Sequence, residues 1–214
     1  MHNLEFKPVF PEFEHIKRYV DKQRQMIVAK ILPGEFYVTK QDEAISTVLG
    51  SCISACIWDE KMAIGGMNHF MLPIKGDSFG AHGWQNDNSY TCRYGLWAME
   101  YLINEILKYG GSRDNLKVKL FGGGQVIASM SSDVGAKNIQ FAQEYVANEG
   151  LHVVGSDVGG PWPRKILFFP ATGKALVKKI QATHNDTIQR REIQYRDSLE
   201  HEEPVNDNAD IELF

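Results

Sequence analysis

STVLGSCISACIW, residues 46–58, decides how the chain folds. Its second half, Ile53–Trp58, carries apolar residues at both odd and even positions. Side chains alternate across a strand, so such a run has both of its faces covered and reads as a buried strand. Its first half brings a tight Gly50-Ser51 turn that delivers Cys52 at the start of that strand.

Strand signals flank this segment on both sides. Met26–Leu32 is a short apolar run that stops at the Pro33-Gly34 turn pair, and Glu35–Thr39 alternates. Gly65–Met71 reads as a strand, followed at 74–90 by a polar loop rich in Gly, Asp, Asn and Ser. A helix then starts near a Ser89 or Thr91 cap and ends at Gly110-Gly111. Its apolar stripe is Tyr94, Trp97, Ala98, Tyr101, Leu102, Ile106 and Tyr109. Leu116–Phe121 is a strand running into Gly122-Gly123-Gly124. A second helix runs from about Ala136 to Glu149 with Ile139, Ala142, Tyr145 and Val146 on one face. Leu151–Val154, Lys165–Pro170 and Lys174–Ile180 are strands, the last two joined as a hairpin through Ala171-Thr172-Gly173. The sum is an α+β or mixed α/β domain with more strands than helices.

Composition bounds the function. The 214 residues are 43% hydrophobic and 23% charged, which suits a globular domain with a sizeable core. A net charge of −4 argues against bulk nucleic-acid binding. No apolar run approaches the ~18 residues of a transmembrane helix, and three cysteines make no disulfide framework. The N-terminal residues are broken by charges and prolines, unlike a signal peptide, so a cytoplasmic protein is expected. Residues 1–25 read as a polar extension with a short helix around Phe13–Gln23, and 26–180 as a single compact domain. Residues 181–214 hold nine acids and three bases with few apolar side chains, so this tail is expected to be disordered.

Cys52 is either a small buried hydrophobe or a nucleophile whose neighbouring N–H groups, at Gly50 and Ser51, stabilise an oxyanion. His69 follows in the apolar strand segment GGMNHFMLP and is either a satisfied core histidine or the base that activates the thiol. Ser46 and Thr47 each offer a hydroxyl to orient that imidazole; in an extended chain they face opposite ways, so at most one does. Cys52, Cys56, His69 and His82 have zinc-ligand atoms but not zinc-ligand spacing. Cys92 reads as a packing or capping residue. The triple glycine lacks the dinucleotide pattern and reads as close backbone packing, and Thr172-Gly173-Lys174 is a turn rather than a phosphate loop. Asp157-Val158-Gly159-Gly160 reads as a turn. Trp58, Trp97 and Trp162 read as core residues, and Trp84, in the polar loop, as a possible partner contact.

These motifs together resemble the chemoreceptor glutamine deamidase family, CheD. The resemblance is carried by STVLGSC, GGMNHFMLP, ILPGEFYVT, KLFGGG, VGAKNIQF and DVGGPWPRKILFFPATG, in order across residues 27–180. It implies a three-layer α/β/β-type sandwich of mixed sheets and helices. It also implies a cysteine hydrolase that converts glutamine side chains on chemoreceptor cytoplasmic helices to glutamate, with no cofactor and no metal. Cys52 would be the nucleophile and His69 the base and acid. The family's third residue is a threonine six positions before the cysteine; that position is Ser46 here, which places Ser46 ahead of Thr47. A chemotaxis phosphatase that some members bind is a further partner the resemblance implies. A non-catalytic adaptor, or a cysteine amidase or transglutaminase with another substrate, are the competing readings. The last residues, Asp210-Ile211-Glu212-Leu213-Phe214, are either an incidental end or a short docking peptide.

Overall fold

A computed structural model describes residues 4–74, 90–126, 134–181 and 186–201. Ten strands there form two five-stranded sheets. The first sheet runs in the order β1 (Lys17–Asp21), β2 (Met26–Lys30), β4 (Glu43–Leu49), β9 (Arg164–Phe169), β10 (Lys174–Lys179). The second runs β3 (Phe36–Thr39), β6 (Ile64–Asn68), β5 (Ile53–Asp59), β7 (Leu116–Gly122), β8 (His152–Val158). Both sheets are mixed, with β2 parallel to β4 and β7 parallel to β8. The latter pair is bridged by a helix, the usual crossover between parallel strands, and the former by the segment that carries β3.

Helices α1 (Tyr90–Lys108) and α2 (Val134–Asn148) rest on the second sheet, α1 over β3, β6 and β5 and α2 over β5, β7 and β8. The first sheet packs on the other side, where Trp58 of β5 meets Phe168 of β9 edge-on with ring centroids 5.9 Å apart. This is the layered α+β arrangement that the resemblance implies. All seven residues of β5 are buried, because alternate side chains enter the helix layer and the inter-sheet layer. No helix among the described residues is long and apolar enough to cross a membrane.

Several local expectations are corrected. The helix expected around Phe13–Gln23 is a single 3-10 turn, Pro11–Phe13, followed by β1, which pairs antiparallel with β2. Phe13 and Ile16 are core residues, so the N-terminal segment belongs to the fold. Its strand is fixed by a buried carboxylate. Glu43 of β4 accepts bonds from Tyr37 Oη at 2.6 Å, Thr39 Oγ1 at 2.7 Å and Arg18 Nε at 2.8 Å, which ties β1 and β4 to β3 across the layers. The tail, expected to be disordered, contains helix α3 (Asp186–His201), with Glu192 and Leu199 buried. Residues 202–214, including the Asp210–Phe214 segment, lie outside the described residues, as do Ser89, His82 and Trp84. In α1 the buried face is Ala98, Met99, Leu102, Ile103 and Ile106; Trp97 and Tyr101 face outward, and Trp162 is also partly exposed. The helix turns its small and aliphatic residues to the sheet and leaves the larger rings at the edge.

The Glu43 cluster predicts a large cost for removing the carboxylate. Glu43→Ala strands the Tyr37 and Thr39 hydroxyls and the mostly buried Arg18 guanidinium, and should lose about 3–5 kcal/mol in urea unfolding. Val177→Ala, on the exposed edge strand, should stay within about 0.5 kcal/mol.

Candidate active site

The turn before β5 is held by the glycines after β7. Gly123 N–H donates to the Cys52 carbonyl and Gly124 N–H to the Gly50 carbonyl, both at 2.7 Å. Gly122 has φ +117°, and a Cβ there would lie 2.1 Å from the Cys52 carbonyl oxygen, so only glycine allows this approach. The glycine segment is braced in turn by Gly159 N–H to the Gly122 carbonyl at 2.8 Å and Gln125 N–H to the Gly160 carbonyl at 2.9 Å. Arg164, almost wholly buried, fastens that outer loop through the Asp157 and Gly159 carbonyls and the Asp157 carboxylate. From the other side Asn138 of α2 donates to the Ser51 carbonyl and accepts from Leu72 N–H, each at 2.9 Å. With its carbonyls bound behind it, the turn presents its N–H groups on one side.

His69 lies just past the end of β6. Ile53 and Phe70 exchange backbone bonds of 2.9 and 3.0 Å. In that antiparallel register Cys52 and His69 are diagonal neighbours on one face. Thr47 Oγ1 is 2.9 Å from the Ile31 carbonyl oxygen and 2.8 Å from His69 Nδ1. A carbonyl oxygen only accepts, so the single hydroxyl proton goes to Ile31, and Thr47 Oγ1 accepts from His69 Nδ1–H. The lone pair is therefore on Nε2, which is buried and has no hydrogen-bond partner among the described residues. Thr47, not Ser46, supplies the hydroxyl that meets the ring. In β4 the two hydroxyls leave on opposite faces, and the pairing of β4 with β2 and β9 decides which one turns inward.

A residue that the sequence reading missed completes the site. The Glu192 carboxylate of α3 accepts from Gly50 N–H at 2.7 Å, Ser51 N–H at 3.0 Å, Ser51 Oγ at 2.9 Å and Cys52 N–H at 3.4 Å. A Cβ on Gly50 would come within 2.6 Å of that carboxylate, so glycine is what leaves room for it. Cys52 is fully buried and His69 nearly so. Burial first, then the adjacent Glu192 carboxylate, pushes the Cys52 thiol well above its usual pKa. Burial lowers His69 to about 3. The pair is thus neutral thiol and neutral imidazole. A cavity of about 460 Å³ lies beside it, lined by Lys17, Tyr19, Lys30 and Lys165 of the first sheet and Ile188 of α3, and it reaches His69. Of the zinc-type residues, Cys56 is enclosed in β5 and Cys92 is buried at the start of α1. Among the described residues no three His, Cys, Asp or Glu side chains cluster as a metal site.

The family described as "CheD chemotactic sensory transduction" matches residues 71–179. The chain is similar to proteins named "Probable chemoreceptor glutamine deamidase CheD" from three organisms. It is 51% identical to that of Halorhodospira halophila, over 95% of this chain and 92% of the other. It is 47% identical to that of Hahella chejuensis, over 95% and 93%. It is 46% identical to that of Saccharophagus degradans, over 97% and 94%. The similarity extends into both terminal segments, beyond the span 27–180 read from the motifs.

The buried imidazole has a consequence for stability. The folded state resists a proton at His69 down to about pH 3, whereas the unfolded chain takes one up near 6.5. Between these values the unfolded state binds more protons, so stability rises with pH across the window and falls as pH drops below about 6.5. His69→Asn should flatten that part of the profile in urea titrations at stepped pH.

Proposed function

The chain belongs to the CheD family, and on that premise we propose that it is a chemoreceptor glutamine deamidase, a cysteine hydrolase of the cytoplasm acting on receptor helices. The observation that carries the reading is the convergence of the Gly50, Ser51 and Cys52 N–H groups on one carboxylate. A group of donors that binds a side-chain carboxylate at a cysteine suits the oxyanion of a side-chain acyl transfer.

In the reaction, the Cys52 thiolate attacks the carboxamide carbon and the N–H groups hold the negative oxygen. His69 Nε2 takes the thiol proton and passes it to the departing ammonia. Water then adds to the thioester with His69 again as base, which releases the glutamate carboxylate and restores the thiol. Thr47 keeps Nδ1 protonated throughout, so Nε2 is always the nitrogen that exchanges protons. No step needs a metal or an organic cofactor. The lysines around the neighbouring cavity suit an acidic helix. Docking of a chemotaxis phosphatase would persist without the thiol, which separates an adaptor role from catalysis.

The test is mass spectrometry of a purified chemoreceptor cytoplasmic fragment after incubation, looking for conversion of glutamine to glutamate. Cys52→Ala and His69→Ala should abolish conversion, and an unchanged rate in either would overturn the mechanism. Thr47→Ala should lower kcat by roughly 10²-fold with Thr47→Ser mild. Ser46→Ala should stay near wild type; a large loss there would return the third role to Ser46.

A further inference from the structure

Glutamine deamidation yields a glutamate, and a glutamate on a helix already occupies the candidate site. Glu192 is nine-tenths or more buried, and its two carboxylate oxygens take the N–H groups of Gly50, Ser51 and Cys52 between them. Its helix lies along a track with distinct stations. Gln189 Nε2 donates to the Val126 carbonyl at 2.8 Å. Ile188, one turn before Glu192, faces the lysine-lined cavity. Tyr195, one turn after, lies over Gly34 and joins its hydroxyl to that of Tyr94. Leu199, two turns after, is buried in the core. Ile188, Glu192, Tyr195 and Leu199 recur at helical spacing, so one face of α3 makes all of these contacts.

With α3 in place, the Cys52 side chain has no access to solvent. No substrate can reach it until something moves. We propose that α3 lies in the groove of the substrate helix as an internal product mimic, with Glu192 standing where the carboxylate of a newly deamidated glutamine stands. This rests on the deamidase reading and adds to it. The substrate glutamine lies on a helix with an aliphatic residue four positions before it, an aromatic three after and an aliphatic seven after. A receptor helix binds by displacing α3. Burial of the sulfur, and then the Glu192 carboxylate beside it, also keep the thiol protonated while the helix is docked, so the resting enzyme is both covered and unreactive.

Glu192→Gln turns the mimic into a substrate. The Cys52 thiolate would attack Cδ of residue 192, ammonia would leave with the proton held by His69, and water would hydrolyse the thioester. The net change is amide plus water to carboxylate plus ammonium. Full-length Glu192→Gln should therefore convert to glutamate at 192 on incubation, and Glu192→Gln with Cys52→Ala should stay glutamine. In parallel, Glu192→Ala and Leu199→Asp, which undocks the helix and leaves Glu192 unaltered, are compared with wild type in two assays. If the helix covers the site about nine-tenths of the time, both should speed iodoacetamide labelling of Cys52 and lower KM for a receptor fragment by roughly tenfold. Equal labelling in all three proteins overturns the closure. Retention of glutamine at 192 in a protein that does deamidate the receptor fragment overturns the product mimicry. Faster labelling with no conversion of any receptor fragment leaves the closure standing and overturns the deamidase reading instead.

Discussion

Three backbone N–H groups that face one buried point set the terms for the rest of this molecule. A buried donor without a partner costs about 1–3 kcal/mol, and here the donors at Gly50, Ser51 and Cys52 share one neighbourhood. The turn keeps this arrangement only because its carbonyls are taken up elsewhere, by Gly123, Gly124 and Asn138. Those partners are themselves anchored, the glycines by the loop that Arg164 fastens and Asn138 by α2. The layers therefore act as a frame that turns one short segment inside out, carbonyls toward protein and N–H groups toward ligand. Glu192 satisfies the donors in the resting fold, and the oxygen of a carboxamide would satisfy them in a working one.

The same frame explains the charge state of the site. Thiol and imidazole lie among apolar side chains between two sheets, where separating charge is costly. A carboxylate beside the thiol raises that cost further. Removal of the carboxylate takes away the second of these causes and leaves burial as the first. In the proposed mechanism, reactivity depends on what occupies the donors as well as on the cysteine.

Much of this was legible in the sequence. The two-faced apolar pattern of Ile53–Trp58, the turn before it and the hairpin of β9 and β10 are local signals, and the structure places them as read. Three elements were not legible, each for a physical reason. β1 reads KRYVD, polar on both faces, and is a strand because β2 and the Glu43 carboxylate hold it there. β4 carries Glu43, Ser46 and Thr47 in a buried strand, and their polarity hides it until their partners from other elements are known. The choice of Thr47 over Ser46 follows from register, which long-range pairing sets and no local pattern encodes. α3 has a thin apolar stripe in an acidic tail, and the most buried polar group in that stripe is a glutamate. Read alone, Glu192 signals a solvated helix; only the donors at Gly50–Cys52, some 140 residues earlier, give it a reason to be inside.

β10 ends at Lys179 and α3 begins at Asp186, so the helix is tied to the sheet by a short stretch of chain. A tether of this kind holds its segment near the groove at an effective concentration on the order of millimolar, whatever the number of protein molecules in the volume. Occupancy of the groove by α3 is thus indifferent to dilution and to expression level. A free helix must outcompete a neighbour that never diffuses away, and weak contacts along α3 suffice to exclude sparse or poorly matched ones. Under the proposed closure, the local concentration of substrate helices, rather than the abundance of the enzyme, sets how often the groove changes occupant.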